Sequence, residues 1–165
     1  MELEIVPMTV KDLEEVMEIE SDSFSYPWSR NSFYTEITGN GYAHYLVCRL
    51  KDSGTIIGYG GIWTLFDEAH ITTLAVHSLY RRAGVGTLII TRLIVNAIHK
   101  GARQVFLEVR DSNRNAQNLY EKFQFKVIGR RKNYYYDEDA LVMLRVFSEI
   151  ESDSKGSVSL CPDNL

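Results

Sequence analysis

The segment that most constrains the fold is residues 74–87, where a strand-like stretch leads through a short glycine-containing loop into a long apolar helix. The loop carries two arginines, Arg81 and Arg82, followed by Gly84 and Gly86. The first turn of a helix leaves backbone N–H groups unpaired and carries a partial positive charge, so it can hold a phosphate or pyrophosphate. The same residues also fit a glycine-rich turn with solvated arginines, and spacing alone leaves both interpretations open.

Apolar periodicity along the rest of the chain predicts an α/β (α+β) protein with a mixed sheet flanked by helices. The predicted order of elements is β-α-α-β-β-β-α-β-α-β-β. The predicted strands are 3–6, 43–50, 55–65, 69–76, 103–109, 125–131 and 140–147. The predicted helices are 10–21, a short helix capped by Ser29, 85–100 and one that begins near Arg114. Thr9 and Asp12 are the candidate N-terminal cap of the first of them.

Length and composition fit one globular domain, since 165 residues can bury a sizeable core without disulfides. We expect one domain over residues 1–147. The Ser-, Asp- and Glu-rich composition of residues 148–165 predicts a disordered C-terminal tail. The two cysteines, Cys48 in a predicted core strand and Cys161 in the tail, form neither a disulfide framework nor a metal-binding pattern.

Charge and hydropathy narrow the possible partners. The net charge of −4 argues against direct binding to nucleic acid and is compatible with a basic protein or peptide partner. The start of the chain lacks a signal-peptide pattern, and the longest apolar-rich stretch, 85–98, is too short and too often interrupted by polar residues to span a membrane. We therefore expect a cytoplasmic protein without membrane contact.

The glycine loop resembles the acetyl-CoA signature of the Gcn5-related N-acetyltransferases (GNAT), because Arg81-Arg-Ala-Gly84-Val-Gly86 is similar to that family's Arg/Gln-x-x-Gly-x-Gly/Ala pattern. The resemblance implies the GNAT fold with its mostly antiparallel mixed sheet, and acetyl-CoA as a co-substrate without any metal. The implied cofactor-binding residues are Leu74, Ala75, Val76, Arg81, Arg82, Ala83, Gly84, Val85, Gly86, Thr87 and Asn113.

Further elements resemble one branch of this family, the RimI-type ribosomal-protein alanine N-acetyltransferases. They are Tyr26-Pro-Trp-Ser29, Leu107-Glu-Val-Arg110, Ser112-Asn113, Asn118-Leu-Tyr120, Phe123-Gln-Phe125, Asn133-Tyr-Tyr135 and Asp139-Ala-Leu-Val-Met143. This resemblance implies acetyl transfer to a protein N-terminus, namely the N-terminal alanine of a basic ribosomal small-subunit protein. Two alternatives stay open: acetylation of a small-molecule amine, and an acyl-CoA-binding module without catalysis.

Glu108 is the candidate general base. Strand alternation places it on one face with Phe106 and Arg110, where a carboxylate is costly unless it is paired or used. The residues alone favour a salt bridge with Arg110 or Arg103, whereas the resemblance implies a general base. We expect the base to work best if burial raises its pKa.

Two residues near the fourth helix also have two interpretations each. Tyr120 belongs to an apolar helical stripe and would be a core residue by spacing, whereas the resemblance implies the general acid beside the CoA sulfur. Asn113 fits a helix cap, and the resemblance implies that it also contacts acetyl-CoA.

Large aromatic residues in predicted loops are candidate substrate contacts. Trp28, Tyr134 and Tyr135 either pack on the core or, as the resemblance implies, form a wall of the peptide groove, and the same holds for Tyr136. Residues 137–139 form an acidic turn that is either simply solvated or attracts a cationic peptide. The four histidines show no metal-like spacing, and we assign them no role.

Overall fold

The computed structural model describes residues 1–149 and contains the predicted order of strands and α-helices. The strands are β1 Leu3–Pro7, β2 Ala43–Leu50, β3 Ile56–Leu65, β4 Glu68–Val76, β5 Gln104–Arg110, β6 Lys126–Arg131 and β7 Ala140–Val146. The α-helices are α1 Leu13–Ser23, α2 Arg30–Gly39, α3 Val85–His99 and α4 Arg114–Lys122. Two 3-10 helices are also present, Val10–Asp12 and Ser78–Tyr80. The first lies within the predicted helix 10–21, whereas the second was not predicted, because a single turn is too short to show apolar periodicity.

The seven strands form one sheet in the order β1-β2-β3-β4-β5-β7-β6. β2 pairs antiparallel with both β1 and β3, and β7 pairs antiparallel with both β5 and β6. β4 and β5 run parallel, with a register that covers Glu68, Ala69 and His70 of β4. The sheet is therefore mixed and mostly antiparallel, as predicted.

Contacts divide the chain into two compact units. The first unit contains Met1–Trp63 and Thr72–Leu93, and among the described residues the second contains Thr64–Ile71 and residues 94–149. The assignment of residues 1–147 to one N-acetyltransferase domain stays a prediction. Residues 150–165 of the predicted disordered tail lie outside the described residues.

Local side-chain hydrogen bonds mark the start of the 3-10 turn Val10–Asp12 and the start of α2. Asp12 Oδ2 accepts hydrogen bonds from the Thr9 backbone N–H at 2.7 Å and from the Thr9 hydroxyl at 2.9 Å. Ser29 Oγ accepts from the Ser32 N–H at 3.0 Å and so caps α2. Both caps were predicted from the sequence, because capping depends on residues only three positions apart.

The core of the first unit forms where α1 and α2 pack on the strands. Its buried residues are Met8, Leu13, Val16, Ile19, Phe33, Tyr45, Val47, Ile56, Tyr59 and Ala75. Gly60 on β3 allows α3 to approach this sheet closely, since a Cβ atom there would lie 2.7 Å from Ile89 Cγ2. Close packing of α3 against β3 therefore depends on the missing side chain.

The second unit is organised around β5. Val105, Leu107 and Val109 are buried on one face of the strand, which leaves Glu108 on the other face as the alternation predicted. In α4, the buried Gln117 donates hydrogen bonds at 2.9 Å to the backbone carbonyl oxygens of Arg110 and Asp111. These bonds tie the helix to the end of β5.

Candidate active site

The glycine loop leads directly into the first turn of α3. The first intrahelical hydrogen bond joins the Leu88 N–H to the Gly84 carbonyl oxygen at 3.0 Å. The N–H groups of residues 85–87 therefore precede that bond and are available to an anion. Gly84 adopts a φ of 80° and Arg82 a φ of 66°, both in the left-handed region. The loop thus has the backbone conformation that the helix start requires.

The two loop arginines have different surroundings. Arg81 Nε donates to the Val76 carbonyl oxygen at 3.0 Å, and its guanidinium also donates to the Ser23 hydroxyl at 3.2 Å. It further lies 3.8 Å from an Asp22 carboxylate oxygen. Arg82 is exposed and has no ion-pair partner within residues 1–149. Arg81 therefore braces the loop, whereas Arg82 is free to meet a phosphate.

Glu108 contacts a histidine and an arginine that the sequence did not indicate. Its side chain is 5% exposed, and Oε2 accepts a hydrogen bond from His70 Nε2 at 2.6 Å. Its Oε1 lies 3.4 Å from Arg131 Nη1. The predicted salt bridge with Arg110 or Arg103 is wrong, because the Arg110 guanidinium turns away to bind Asp137 at 2.9 Å.

These partners set the protonation state of Glu108. Burial raises the pKa of its carboxyl. The hydrogen bond and charge of His70, together with the charge of Arg131, lower that pKa by more than burial raises it, so the pKa lies below its ordinary value. The condition stated for the most effective base, a pKa raised by burial, is therefore not met, because His70 and Arg131 outweigh the burial. Glu108 is an ionised hydrogen-bond acceptor at neutral pH.

His70 is a functional candidate that sequence reasoning missed. It lies opposite Phe106 in the parallel β4–β5 register, and the two rings stack at 4.4 Å with an interplanar angle of 12°. His70 and Glu108 are far apart in the sequence and share no motif spacing. Only the register of β4 on β5 reveals their contact.

Tyr120 is buried on α4, and its ring lies 5.8 Å from that of Phe125. Burial raises the pKa of its hydroxyl to about 12, so the hydroxyl stays protonated and can donate a hydrogen bond. Asn113 Oδ1 accepts from the Ala116 N–H at 3.1 Å, which confirms the predicted helix cap. Asn113 is exposed.

Two arginines hold the aromatic residues between β6 and β7. The Arg110 guanidinium lies 4.4 Å from the ring centre of Tyr135, and that of Arg131 lies 5.6 Å from the ring centre of Tyr134. The two tyrosine rings meet edge to face at 5.0 Å. Burial and the charge of Glu108 raise the pKa of both hydroxyls. The second unit thus brings Glu108 and both tyrosines into one electrostatic cluster.

The acidic turn at residues 137–139 is engaged within the protein. Asp137 and Glu138 both accept from Arg110 Nη1, at 2.9 and 3.2 Å, and Asp139 lies 3.4 Å from Arg130 Nη1. Glu138 also accepts from the Ser112 backbone N–H at 2.5 Å. The turn is therefore neither simply solvated nor an unpaired negative surface.

Trp28 lies in the first unit, between α1 and α2. Its backbone N–H donates to Glu20 Oε1 at 2.7 Å, and its ring lies 5.4 Å from that of Phe33. It also lines a cleft with Asn31, Ser32, Thr35 and Glu36.

The predicted site residues thus divide between the two units. The first unit contains Trp28, residues 74–76 and the 81–87 loop, and the second contains Glu108, Asn113, Tyr120, Tyr134 and Tyr135.

Residues 13–125 match the family described as the Acetyltransferase (GNAT) family, and the chain belongs to it. The protein is therefore an acyltransferase of a family that uses acetyl-CoA.

Three relatives show which members of the family the chain is similar to. The chain is 44% identical over 144 residues to a Bacillus subtilis (strain 168) protein named, provisionally, ribosomal protein bS18-alanine N-acetyltransferase, covering 86% of this chain and 94% of the relative. It is 36% identical over 124 residues to the ribosomal protein bS18-alanine N-acetyltransferase of Haemophilus influenzae (strain ATCC 51907 / DSM 11121 / KW20 / Rd). That match covers 75% of this chain and 82% of the relative. The crystal structure of the ribosomal-protein-S18-alanine N-acetyltransferase from Escherichia coli superposes with a TM-score of 0.80 at 28% identity. The superposition covers 89% of this chain and 95% of the Escherichia coli chain.

Residues 1–149 show neither a metal cluster nor a membrane-spanning helix. The described part of the chain has no group of three or more His, Cys, Asp or Glu side chains that could hold a metal ion. Within the same residues, none of the helices has both the length and the apolar character needed to cross a membrane.

Proposed function

We propose that this protein transfers the acetyl group of acetyl-CoA to the α-amine of a protein N-terminus, and that its substrate is the N-terminal alanine of a basic ribosomal small-subunit protein equivalent to bS18. The observation that carries this proposal is the 44% identity to the Bacillus subtilis relative over nearly the whole of both chains. The partner is the protein N-terminus alone, without direct contact to nucleic acid or membrane. A ribosomal-protein substrate places the reaction in the cytoplasm.

The first unit supplies the groups that would bind acetyl-CoA. The unpaired N–H groups of residues 85–87 and the exposed guanidinium of Arg82 suit the pyrophosphate, because they combine backbone donors with positive charge. Residues 74–76 lie beyond the β4–β5 register, so we assign their backbone groups to the pantetheine arm. From the second unit, we assign Asn113 a contact with acetyl-CoA.

Glu108 is the proposed general base. An α-amine has a reference pKa near 8, so its deprotonation at pH 7 costs about 1 kcal/mol, against roughly 4–5 kcal/mol for a lysine. A carboxylate with a lowered pKa is a weak base, and it suffices only for the α-amine. The amine nitrogen bonds to the thioester carbon, the C–S bond breaks, and the amine proton passes to Glu108 directly or through water.

Tyr120 is the proposed donor to the departing sulfur. The pKa of its hydroxyl, about 12, lies above the reference thiol value of about 8.5, so complete proton transfer would be uphill by roughly 5 kcal/mol. We therefore assign Tyr120 a hydrogen bond that stabilises the developing thiolate.

We assign peptide contacts to Trp28 of the first unit and, separately, to Tyr134 and Tyr135 of the second. Their rings are held by Phe33, Arg131 and Arg110, respectively, so they present fixed aromatic surfaces.

The test compares release of free CoA thiol with three substrates. We expect rapid release with a peptide that begins with the bS18 N-terminal sequence, and little release with the same peptide N-terminally blocked and carrying an internal lysine. The third arm is a panel of polyamines, amino acids and aminoglycosides. Equal kcat/KM for the blocked lysine peptide, or higher values for a small amine, would overturn the assignment. Glu108→Gln provides the control for uncatalysed thioester hydrolysis.

A further inference from the structure

Glu20 is the most deeply buried charged side chain among residues 1–149, with 1% of its surface exposed. It lies in the last turn of α1, on the helix face that otherwise buries Leu13, Val16 and Ile19. A carboxylate at such a position is costly unless its oxygens are hydrogen-bonded, and an apolar residue would pack there without that cost. The reaction scheme above makes no use of it.

The two carboxylate oxygens of Glu20 bind groups from two different elements. Oε1 accepts from the backbone N–H of Trp28 at 2.7 Å, and Oε2 accepts from the hydroxyl of Tyr59 on β3. Tyr59 is itself fully buried. Glu20 therefore connects α1, the α1–α2 connection and the sheet through one side chain.

The same connection is held on its other side by aromatic packing. The Trp28 ring lies 5.4 Å from the ring of the fully buried Phe33. Phe33 in turn meets Tyr45 at 6.2 Å and Tyr59 at 5.6 Å, both edge to face. Phe33 thus fixes the indole, and Glu20 fixes the backbone that carries it.

We propose that Glu20 is a positioning residue for substrate recognition. By holding the Trp28 backbone, it sets the orientation of the indole that forms one wall of the peptide cleft. This inference rests on the proposed function, in which Trp28 contacts the peptide. The cleft is lined by Trp28, Asn31, Ser32, Thr35 and Glu36, so a shift of the Trp28 backbone changes its shape. Within residues 1–149, Glu20 makes no hydrogen bond to the 81–87 loop, and the loop reaches α1 only through Arg81, at Asp22 and Ser23. We therefore expect the larger effect on the peptide.

Three variants separate positioning from simple stabilisation. Glu20→Leu removes both acceptors at nearly constant volume. Glu20→Gln keeps both hydrogen bonds but reverses one of them, because its amide oxygen accepts from Trp28 while its NH₂ donates to the rotatable Tyr59 hydroxyl. Tyr59→Phe removes only the bond to the sheet and leaves the bond to Trp28 in place. Should Glu20→Leu fail to fold, Glu20→Asp replaces it, since a side chain one methylene shorter cannot reach both donors.

Steady-state kinetics give the first measurement. We expect Glu20→Leu to raise KM for the peptide about tenfold, which is the loss typical of one buried hydrogen bond. Its KM for acetyl-CoA and its kcat at saturating peptide should stay near the wild-type values. Glu20→Gln should have a peptide KM near the wild-type value. Tyr59→Phe should lower the melting temperature without changing the peptide KM. A parallel decline of all kinetic constants with melting temperature in Glu20→Leu and Tyr59→Phe would overturn the positioning role.

Tryptophan fluorescence gives a second measurement that needs no substrate. The chain has two tryptophans, so Trp63→Phe leaves Trp28 as the single reporter. In that background, Glu20→Leu should lower the anisotropy of Trp28 and increase its quenching by acrylamide, whereas Tyr59→Phe should do neither. Unchanged anisotropy and quenching in a folded Glu20→Leu protein would refute the inference. If no N-terminal peptide is a substrate of the wild type, the proposed function fails, and the fluorescence still decides whether Glu20 orders Trp28.

Discussion

His70 Nε2 donates to Glu108 Oε2 across the parallel pair of β4 and β5, at 2.6 Å. This hydrogen bond and the nearby Arg131 outweigh the effect of burial, and together they keep the pKa of Glu108 low. The candidate base is consequently ionised before any substrate arrives. At neutral pH, the rate of such an enzyme should be limited by the small fraction of amine that is unprotonated, because the base is already ionised.

Glu108→Gln should lower kcat by about 10²–10⁴-fold, the usual contribution of general-base catalysis. The amide keeps the shape of the side chain but cannot take up the proton. The measurement is CoA thiol release with saturating peptide, together with calorimetric acetyl-CoA affinity, which should not change. Glu18→Gln, at an exposed position on α1, is the matched control. Wild-type turnover in Glu108→Gln across pH 6–9 would rule out the role.

His70→Ala should make the enzyme sensitive to acid. With His70 gone, its hydrogen bond and charge no longer lower the pKa of Glu108, while burial still raises it. The pKa should therefore rise, and a larger fraction of the base should be protonated at pH 6 than at pH 8. The ratio of mutant to wild-type kcat/KM should therefore increase with pH over this interval. His99→Ala, at the exposed end of α3, should show a constant ratio. A pH-independent ratio for His70→Ala would show that His70 does not control the base.

Gly84→Asp should weaken acetyl-CoA binding by charge. Gly84 has a φ of 80°, and a Cβ atom added there would have no neighbour within 4 Å, so steric overlap is not the obstacle. Asn tolerates the left-handed region about as well as Asp, which makes Gly84→Asn the neutral control. Calorimetry should show a loss of about tenfold or more for Gly84→Asp relative to Gly84→Asn, since like charges would meet at a helix start. Equal affinities would place the pyrophosphate elsewhere.

Gly60→Ala should destabilise the fold by about 1–3 kcal/mol, the usual cost of overpacking. The added methyl group would overlap with Ile89 on α3, and either the helix or the strand would have to move. Gly41→Ala is the control, because nothing lies within 4 Å of a Cβ atom at that position. The measurement is the free energy of unfolding in urea. Equal stabilities of the two variants would mean that α3 adjusts freely.

The parts of the molecule that could be predicted from the sequence are those with local causes. Apolar periodicity predicted the order of strands and helices, and residues three positions apart predicted the caps at Thr9, Ser29 and Asn113. The glycine loop could be singled out because its pattern lies in adjacent residues, and its role in binding acetyl-CoA stays a prediction.

The unpredicted parts depend on residues that are distant in the chain. The contact between His70 and Glu108 requires the β4–β5 register, and the direction of the Glu108 pKa shift follows from that contact. The partners of Arg110 depend on the path of the β6–β7 connection, which apolar pattern does not specify. The need for glycine at position 60 appears only when α3 is seen against β3.

The two carboxylates bound to Arg110 have a consequence for binding entropy. One guanidinium nitrogen holds Asp137 and Glu138 while the same side chain stacks on Tyr135, so the β6–β7 connection is organised before a peptide arrives. Ordering a mobile side chain on association typically costs about 0.5–1.5 kcal/mol. In the proposed function, a peptide that contacts Tyr135 avoids that loss, and discrimination among N-terminal sequences would then depend on fit to a rigid surface.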